Sequence, residues 1–350
     1  MDDCCKRIEI NNNLINGPAN VIPPTAPTAP TQPTIPPAPT APTGLNKVYG
    51  LQSLPGNTAV FDGFTNEQIG TLPTFPLSFA FAIAVDPYRN YVYIAAANEP
   101  GTVYVYSAVD ESLITQFGLS TPGPNPEAIE INFTTNKLYV ATLTGRLFVV
   151  DGETFTVEAV IGEGVFPSAL NALAVNSLTN LIYIVSGGLL ANEMNVVNGA
   201  TNEIIGPFTE GLVDPSDVIV DERTNLVYVT NNGGGTVTVY DGSTLALVNT
   251  IVVNGSPNRV EIDPLFNELY VTNGDGYVTV INETTSQIIA EIPVADPGAN
   301  PVTIGLNPYT RRAYVGFSNR QLISIIDMDT KTEIGSLPKQ SSAFRVVTLP

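Results

Sequence analysis

Hydrophobic positions occur along most of this chain in short runs, separated by polar turns rich in Gly, Asn and Thr. One type of run has a tyrosine near its middle and is clearest at residues 225–231, Asn-Leu-Val-Tyr-Val-Thr-Asn. Seven such runs are present, with tyrosines at Tyr49, Tyr93, Tyr139, Tyr183, Tyr228, Tyr270 and Tyr314. By subtraction, successive tyrosines are 44, 46, 44, 45, 42 and 44 residues apart. Repeats of this length with several short strands are typical of propeller blades, so the pattern predicts an all-β, seven-bladed β-propeller.

Each repeat is predicted to form four strands. In the fifth repeat these strands fall at residues 218–221, 225–231, 236–241 and 247–252, with a glycine-rich hairpin between the second and third. Four short strands joined by tight turns make one blade. The second strand is apolar on both faces because neighbouring blades cover both. We therefore expect each tyrosine to fill the layer between blades and to need one partner for its hydroxyl.

The first repeat starts at its second strand, near Lys47, and has no first strand of its own. The missing strand is found at the other end of the chain, as Arg345-Val346-Val347-Thr348-Leu349. An open ring of blades would leave a strand edge unpaired. The sequence therefore predicts that the C-terminal strand completes the first blade and closes a propeller domain of residues 45–350.

Residues 18–44 have a different composition, with ten prolines and six threonines among the 26 positions of 18–43. No charged residue occurs between Glu9 and Lys47. Proline fixes φ and lacks a backbone donor, so the segment is predicted to be an extended, polyproline-II-like linker. At about 3.1 Å per residue it would span roughly 80 Å. A disordered tail without a partner is the alternative.

Residues 1–17 are predicted to be an anchoring or cross-linking segment. They contain the only two cysteines, Cys4 and Cys5. Adjacent Cα atoms are about 3.8 Å apart, too close for a relaxed disulfide. The pair is therefore predicted to form intermolecular disulfides or to dock onto another chain, with inert free thiols as the alternative.

The charge balance excludes several function classes. The chain has 14 basic and 33 acidic residues, a net charge of −19, and no histidine. Such a surface repels nucleic acids and anionic membranes, so neither is an expected partner. The missing histidines remove the commonest general base and metal ligand. We expect no catalytic residues, cofactor or metal, although a calcium ion between acidic loops stays open.

The most distinctive polar side chains are expected at the hairpins between second and third strands. They are Glu99, Arg146, Glu193, Asn232, Asp275 and Arg320. Convergent polar groups at the mouth of a ring are a usual design of binding sites, so this face is the candidate site for a glycan or host ligand. The alternative is that these side chains are simply solvated.

The repeat resembles the YVTN-type β-propeller family. The resemblance rests on Val-Tyr-Val-Thr-Asn at 227–231, Tyr-Val-Thr-Asn at 270–273, Asp-Pro at 86–87 and 263–264, and the Thr-Asn turns. It covers about residues 45–350, and blade seven departs from it with Thr310-Arg311. The family includes surface-layer proteins, binding modules and relatives of cofactor-bearing enzymes and lactonases. Those enzymes depend on histidines or metal ligands that this chain lacks, so no catalytic residue carries over.

The N-terminal segment is similar to the leader of bacterial exosporium collagen-like glycoproteins. The similarity lies in Ile15-Asn16-Gly17-Pro18, Val21-Ile22-Pro23-Pro24 and the proline–threonine repeats that follow. In that family the leader attaches a stalk and head to the spore surface. The first residues lack the apolar core of a secretory signal. The resemblance therefore implies a spore- or cell-surface location reached without a signal peptide.

Three functions follow from these features. The first is a non-enzymatic surface protein, with a propeller head on a proline-rich stalk that serves adhesion or display. The second is a self-assembling filament subunit whose N-terminal arm docks into a neighbouring copy. The third is a histidine-free enzyme of lactonase or hydrolase type that uses Glu, Asp and Arg.

Overall fold

The computed structural model describes residues 45–52, 57–73, 80–97, 101–119, 125–167, 169–188, 191–338 and 343–349, all within the unit formed by residues 39–350. Every regular element in these ranges is a β-strand. The described part of the chain accordingly contains no helix long and apolar enough to cross a membrane. The strands form seven four-stranded antiparallel sheets, one for each predicted blade.

The strands are numbered in chain order. Blade one contains β1 Lys47–Gln52, β2 Asn57–Asp62, β3 Gln68–Pro73 and the last strand of the chain, β28 Ala343–Leu349. Blade two contains β4 Ala80–Asp86, β5 Tyr91–Ala96, β6 Thr102–Ser107 and β7 Leu113–Gly118. Blade three contains β8 Pro126–Asn132, β9 Lys137–Thr142, β10 Leu147–Asp151 and β11 Val157–Ile161.

The other four blades repeat the arrangement. Blade four contains β12 Leu170–Asn176, β13 Leu181–Ser186, β14 Glu193–Asn198 and β15 Ile204–Phe208. Blade five contains β16 Pro215–Asp221, β17 Leu226–Asn231, β18 Thr236–Asp241 and β19 Leu247–Val252. Blade six contains β20 Pro257–Asp263, β21 Glu268–Asn273, β22 Tyr277–Asn282 and β23 Gln287–Pro293. Blade seven contains β24 Pro301–Asn307, β25 Arg312–Phe317, β26 Leu322–Asp327 and β27 Thr332–Pro338.

The predicted closure of the ring is confirmed. The first sheet has the order β28-β1-β2-β3, and β28 pairs antiparallel with β1, placing Tyr49 opposite Val347. The innermost strand of each blade contacts those of both neighbouring blades, and β28 lies between β24 and β4. The propeller is thus a closed, seven-bladed ring in which the two ends of the repeat region share one blade.

The second strand of each blade is buried as predicted. All seven repeat tyrosines are fully buried between blades. The Tyr228 hydroxyl donates to Glu283 Oε1 at 2.9 Å, in the next blade. Among the described residues, Tyr49 Oη and Tyr139 Oη have no hydrogen-bond partner. An unpaired buried hydroxyl costs about 1–3 kcal/mol, less than the roughly 3–5 kcal/mol lost when a large aromatic side chain is removed.

The turn between first and second strands has the same geometry in blade after blade. Its opening Asp or Asn accepts hydrogen bonds from the next backbone amides, as Asn132 Oδ1 does from the Thr134 and Thr135 amides at 2.9 Å. The closing residue has a left-handed backbone conformation; the φ of Asn225, for example, is 56°. The Asn225 carbonyl then accepts the Gly242 amide at 2.8 Å. Asparagine is preferred here because it tolerates positive φ.

Blade seven closes the corresponding turn with Arg311, whose φ is 53° and whose carbonyl accepts the Met328 amide. The departure from the family pattern therefore leaves the backbone unchanged. In blade one the first strand is β28, so no turn connects it to the second strand. The carbonyl of Asn46 nevertheless accepts the Gly63 amide at 2.7 Å, as the closing residue does in the other blades. Asn46 thus occupies the position of the closing residue in blade one.

Antiparallel pairing divides the connections between the two flat sides of the ring. The hairpins between second and third strands lie on one side with the connections between blades, and we name this the hairpin face. The turns between first and second strands, and between third and fourth, lie on the other side, which we name the turn face. Each first strand therefore runs from the hairpin face to the turn face along the central channel.

Candidate functional site

A cavity of about 280 Å³ lies in the central channel and is lined by the first strand of every blade. The pairing register shifts beside the third residue of each first strand, a bulge-like irregularity that recurs in all seven blades. Bulges re-aim side chains and are common next to functional sites. The seven third-position residues that line the cavity are Ala82, Ala128, Ala172, Asp217, Arg259, Thr303 and Arg345.

The cavity wall changes from apolar to charged around the ring. Blades two and four contribute alanines, whereas the charged side chains come from blades one, three, five and six. The charged residues are Glu127, Glu130, Asp217, Arg259, Glu261 and Arg345, of which Glu127 lies next to the lining residues. Third- and fifth-position residues of one strand are separated by about 6.6 Å along the channel. Both arginines are at third positions, nearer the hairpin face, and Glu130 and Glu261 are at fifth positions, nearer the turn face.

Asp217 holds the arginine of the next blade in place. Arg259 Nη1 lies 2.5 Å from Asp217 Oδ1, and the Val260 amide donates to Asp217 Oδ2 at 3.0 Å. Thr303 accepts the Val346 amide at 3.0 Å in the equivalent way, between blades seven and one. Because Asp217 is almost fully buried, this charge-assisted pair is a fixed part of the wall.

Glu130 and Glu261 come from blades three and six, yet their carboxyl groups interact in the channel. Burial raises the pKa of both groups to about 8, and the Asp217 charge adds to the effect at each. The Glu130 charge raises the pKa of Glu261 further. Glu130 is an exposed residue because it faces the channel, although protein surrounds it on all sides. The pKa of both groups therefore lies well above that of an isolated glutamate, which is ionised at neutral pH.

Arg345, from the closing strand β28, reaches across to blade three. Its Nη2 lies 3.4 Å from the Glu127 carbonyl oxygen. Burial and the neighbouring Arg259 charge both lower the pKa of Arg345, although a guanidinium remains protonated at neutral pH. Burial raises the pKa of Glu127, and the Arg345 and Arg259 charges oppose that rise. The closure of the ring thus places a cation within the channel.

This arrangement suits the binding of a small polar molecule. Two guanidinium groups offer hydrogen bonds to an anionic or hydroxyl-bearing group, and two carboxyls near their pKa can donate or accept a proton. The alanine walls of blades two and four leave room beside these groups. No set of three His, Cys, Asp or Glu side chains in the described part of the chain is placed to hold a metal ion.

The predicted residues of the hairpin face form local ties. Arg146 Nη2 lies 2.7 Å from Glu163 Oε1, and Arg320 makes two bonds to the Asp296 carboxylate at 2.6 and 3.1 Å. Each pair joins a hairpin to the connection between blades beside it, and the acidic partner is largely exposed. Exposed ion pairs contribute little to stability, so these residues do little beyond tethering loops.

Three other candidates also have nearby partners. Asn232 donates to Asn258 Oδ1 at 2.8 Å, and the Glu193 carboxylate accepts a bond from Asn195 at 2.7 Å. The Asp275 carboxylate packs against Gly255, where a Cβ would come within 2.4 Å of Oδ2. Hydrogen bonds between one hairpin candidate and another do not occur among the described residues, so they do not converge on one pocket. Glu99, Cys4 and Cys5 lie outside the described residues.

The channel charges were missed by the sequence prediction, which placed the site at the hairpins. A signal was present, because Glu130 and Glu261 place a charge at the fifth position of the first strand, where the other blades have Ala, Ile, Gly or Val. What the sequence did not show is that residues from different blades meet. That requires the ring to close and the third and fifth positions to face one channel.

Comparison with known proteins supports the fold. No family model matches the chain. It is 23% identical over 210 residues to the uncharacterized protein YncE of Salmonella typhi, and equally to that of Salmonella typhimurium LT2; the match covers 55% of this chain and 59% of theirs. The chain thus spans about three fifths of these relatives. Hydrazine synthase from Kuenenia stuttgartiensis superposes with a TM-score of 0.67 at 16% identity, over 77% of this chain and 89% of that one. A similarity at this identity shows the propeller fold alone.

Proposed function

We propose that this chain is a non-enzymatic surface protein, a propeller head displayed on a proline-rich N-terminal segment and serving adhesion or display. The observation that carries the proposal is the composition of blade one. Its four strands come from residues 47–73 and 343–349, so the ring is complete without residues 1–44. Those residues are thereby left for a separate task, and the YVTN-type repeat and the exosporium-like leader agree in suggesting surface attachment.

Attachment is assigned in this proposal to residues 1–17, with Cys4 and Cys5 as the cross-linking groups. Disulfides form outside reducing compartments, which fits two thiols at a spore or cell surface. The partner is a protein of a coat, appendage or similar assembly. The alternative partner is another copy of this chain, which would make the protein a filament subunit.

The head is proposed to bind a small polar or sugar-like ligand in its channel. Mixed carboxyl and guanidinium groups in a concave, partly apolar cavity are the usual means of recognising such molecules. The channel replaces the hairpin tips as the favoured ligand site, because its charged groups converge whereas those of the hairpins pair locally.

The experiment is to locate the protein in its native setting. Immunogold labelling of intact spores and cells should decorate the outer surface, and reducing agent should release the chain. A Cys4→Ser, Cys5→Ser double variant in the same host should be lost from the surface fraction while the soluble head keeps its thermal transition. A chain found only in the cytoplasm, and monomeric in non-reducing electrophoresis of native material, would contradict the proposal.

A second candidate function is hydrolysis in the channel, favoured by the raised pKa of Glu130 and Glu261. Perturbed carboxyls in a cavity mark many active sites, and a glutamate of pKa about 8 can act as a general acid or base. In that case a panel of lactone and ester substrates should reveal turnover that Glu130→Gln reduces by about 100-fold or more. Turnover unchanged in Glu130→Gln and Glu261→Gln would exclude the channel as the active site.

A further inference from the structure

The turn face carries exposed aromatic side chains in five of its turns. We name them the aromatic rim, and they are Phe64, Tyr88, Phe133, Phe266 and Tyr309. Each keeps between 40% and 63% of its surface exposed. The Tyr88 and Phe133 rings touch across blades two and three, with centroids 5.3 Å apart. The Arg311 guanidinium lies 3.9 Å from the centre of the Phe266 ring. Exposed apolar patches with polar borders are typical of protein interaction sites.

The fold does not require aromatic residues at these turns. Four of the five aromatics lie in turns between first and second strands, and blade five makes that turn with Glu222 and Arg223, where the Asp221 carboxylate accepts the Arg223 amide at 2.9 Å. A polar pair is therefore sufficient for the backbone. The rim aromatics leave a large fraction of each side chain exposed. The geometry of the turn therefore does not account for the aromatic side chains.

The first described residues of the head, Leu45 and Asn46, lie at the turn face. Asn46 occupies the position of the closing residue in blade one, and the Asn307 side chain of blade seven hydrogen bonds to Asn46 Oδ1. Blade one lies between blade seven, which carries Tyr309, and blade two, which carries Tyr88. Asn46, close to the first described residue of the head, thus lies at the face that carries the rim.

We propose that the aromatic rim binds the proline–threonine tract, residues 18–43, of a second copy of this chain. Polyproline-II segments dock into surfaces lined by aromatic rings, because proline rings stack on them and a preformed extended chain loses little entropy. The tract contains ten prolines, its remaining residues are small, apolar or uncharged, and its predicted conformation suits this recognition.

Charge also favours this occupant over the head of the second copy. The chain carries a net charge of −19, so two heads repel each other. The tract has no charged residue at all, and it is therefore the part of a second copy that approaches the rim without electrostatic cost. Its reach of roughly 80 Å in the extended state allows the contact while the heads remain apart.

This inference deepens the alternative given under the proposed function, because it rests on the N-terminal segment having another copy of this chain as its partner. It also makes the contact independent of the cysteines, since the tract binds without a covalent link. The assembly would be a chain of heads, each holding the tract of the next, with disulfides at residues 1–17 adding a second connection.

The test measures self-association by sedimentation velocity over a hundredfold range of concentration. The full chain carrying Cys4→Ser and Cys5→Ser is the parent of the variants. The parent should form larger species as its concentration rises. A Tyr88→Ser, Phe133→Ser variant should associate at least about tenfold more weakly, as expected when aromatic anchors are removed. The matched control is Val165→Ser, Val213→Ser, which removes two exposed apolar side chains from the hairpin face and should associate like the parent.

A synthetic peptide of residues 18–43 identifies the bound segment. Added in excess, it should dissociate the assembled parent, and a peptide of equal length with serine in place of every proline should not. A parent that stays monomeric throughout the range would overturn the proposal. So would a rim variant that associates like the parent while keeping its thermal transition, or assemblies that the proline peptide leaves intact.

These outcomes are separable from those of the proposed function. A chain that decorates the native surface but does not associate through the rim overturns only the present inference. A chain that assembles through the rim but is absent from every surface overturns only the proposal of display.

Discussion

The first and second strands of a blade are hydrogen-bonded neighbours, yet they differ in how far their residues vary around the ring. The second strand carries a buried tyrosine in all seven blades. The third position of the first strand is Ala in three blades and Asp, Arg, Thr or Arg in the others. The second strand is enclosed by two adjacent blades, whereas the first strand has one edge on the channel. Repetition therefore marks packing, and variation marks the surface where a ligand can be recognised.

The largest expected effect comes from breaking the ring itself. Deletion of residues 344–350 removes most of β28, which pairs with β1 and lies between β24 and β4. Blade one would lose its inner strand, and the strand edge of β1 would be unpaired. We expect cooperative thermal unfolding to collapse, measured by calorimetry or circular dichroism. A truncated chain that melts like the parent would show that closure is dispensable.

A smaller effect is expected within the second strand. Tyr228→Ala removes a fully buried aromatic side chain and should lower the free energy of unfolding by roughly 3–5 kcal/mol, measured by denaturant titration. Tyr228→Phe is the matched control, because it keeps the ring and loses only the bond from the hydroxyl to Glu283. It should cost about 1–3 kcal/mol. If Tyr228→Ala cost no more than Tyr228→Phe, the tyrosine would not act through packing.

The smallest effect, and the one specific to the channel, is on pH dependence. Between the unfolded pKa near 4.5 and the folded pKa of about 8, Glu130 and Glu261 bind more protons in the folded state. The free energy of unfolding should therefore fall as pH rises through this window. A Glu130→Gln, Glu261→Gln variant should show a shallower fall and exceed the parent in stability at pH 9.

The parent and the variant should differ little in free energy of unfolding at pH 4.5, because both glutamates are then protonated in the folded parent. Part of the fall should persist in the variant, since burial also raises the pKa of Glu127 and that of Glu283, the latter to about 7. Denaturant titrations at pH 4.5, 7 and 9 measure these differences. An unchanged pH profile in the variant would show that the two carboxyls do not titrate in the channel.

The sequence by itself determined the number of blades, their phase and the closing strand. These properties follow from patterns along the chain. The tyrosine runs recur every forty-odd residues, and within each repeat strands alternate with polar turns. It also determined that the tyrosines are buried, because a second strand apolar on both faces has to lie between two layers. The hydroxyl partners of Tyr183, Tyr228 and Tyr314 lie in the next blade and were outside its reach.

Only the tertiary structure decided which polar residues come together. Glu130 and Glu261 are separated by 131 positions by subtraction, and Arg345 comes from the far end of the chain. They share one cavity because seven first strands surround the same axis. The sequence favoured the hairpin residues, yet the fold pairs Arg146 and Arg320 locally on separate blades. Proximity across a ring depends on its closure, and no local pattern of residues encodes that distance.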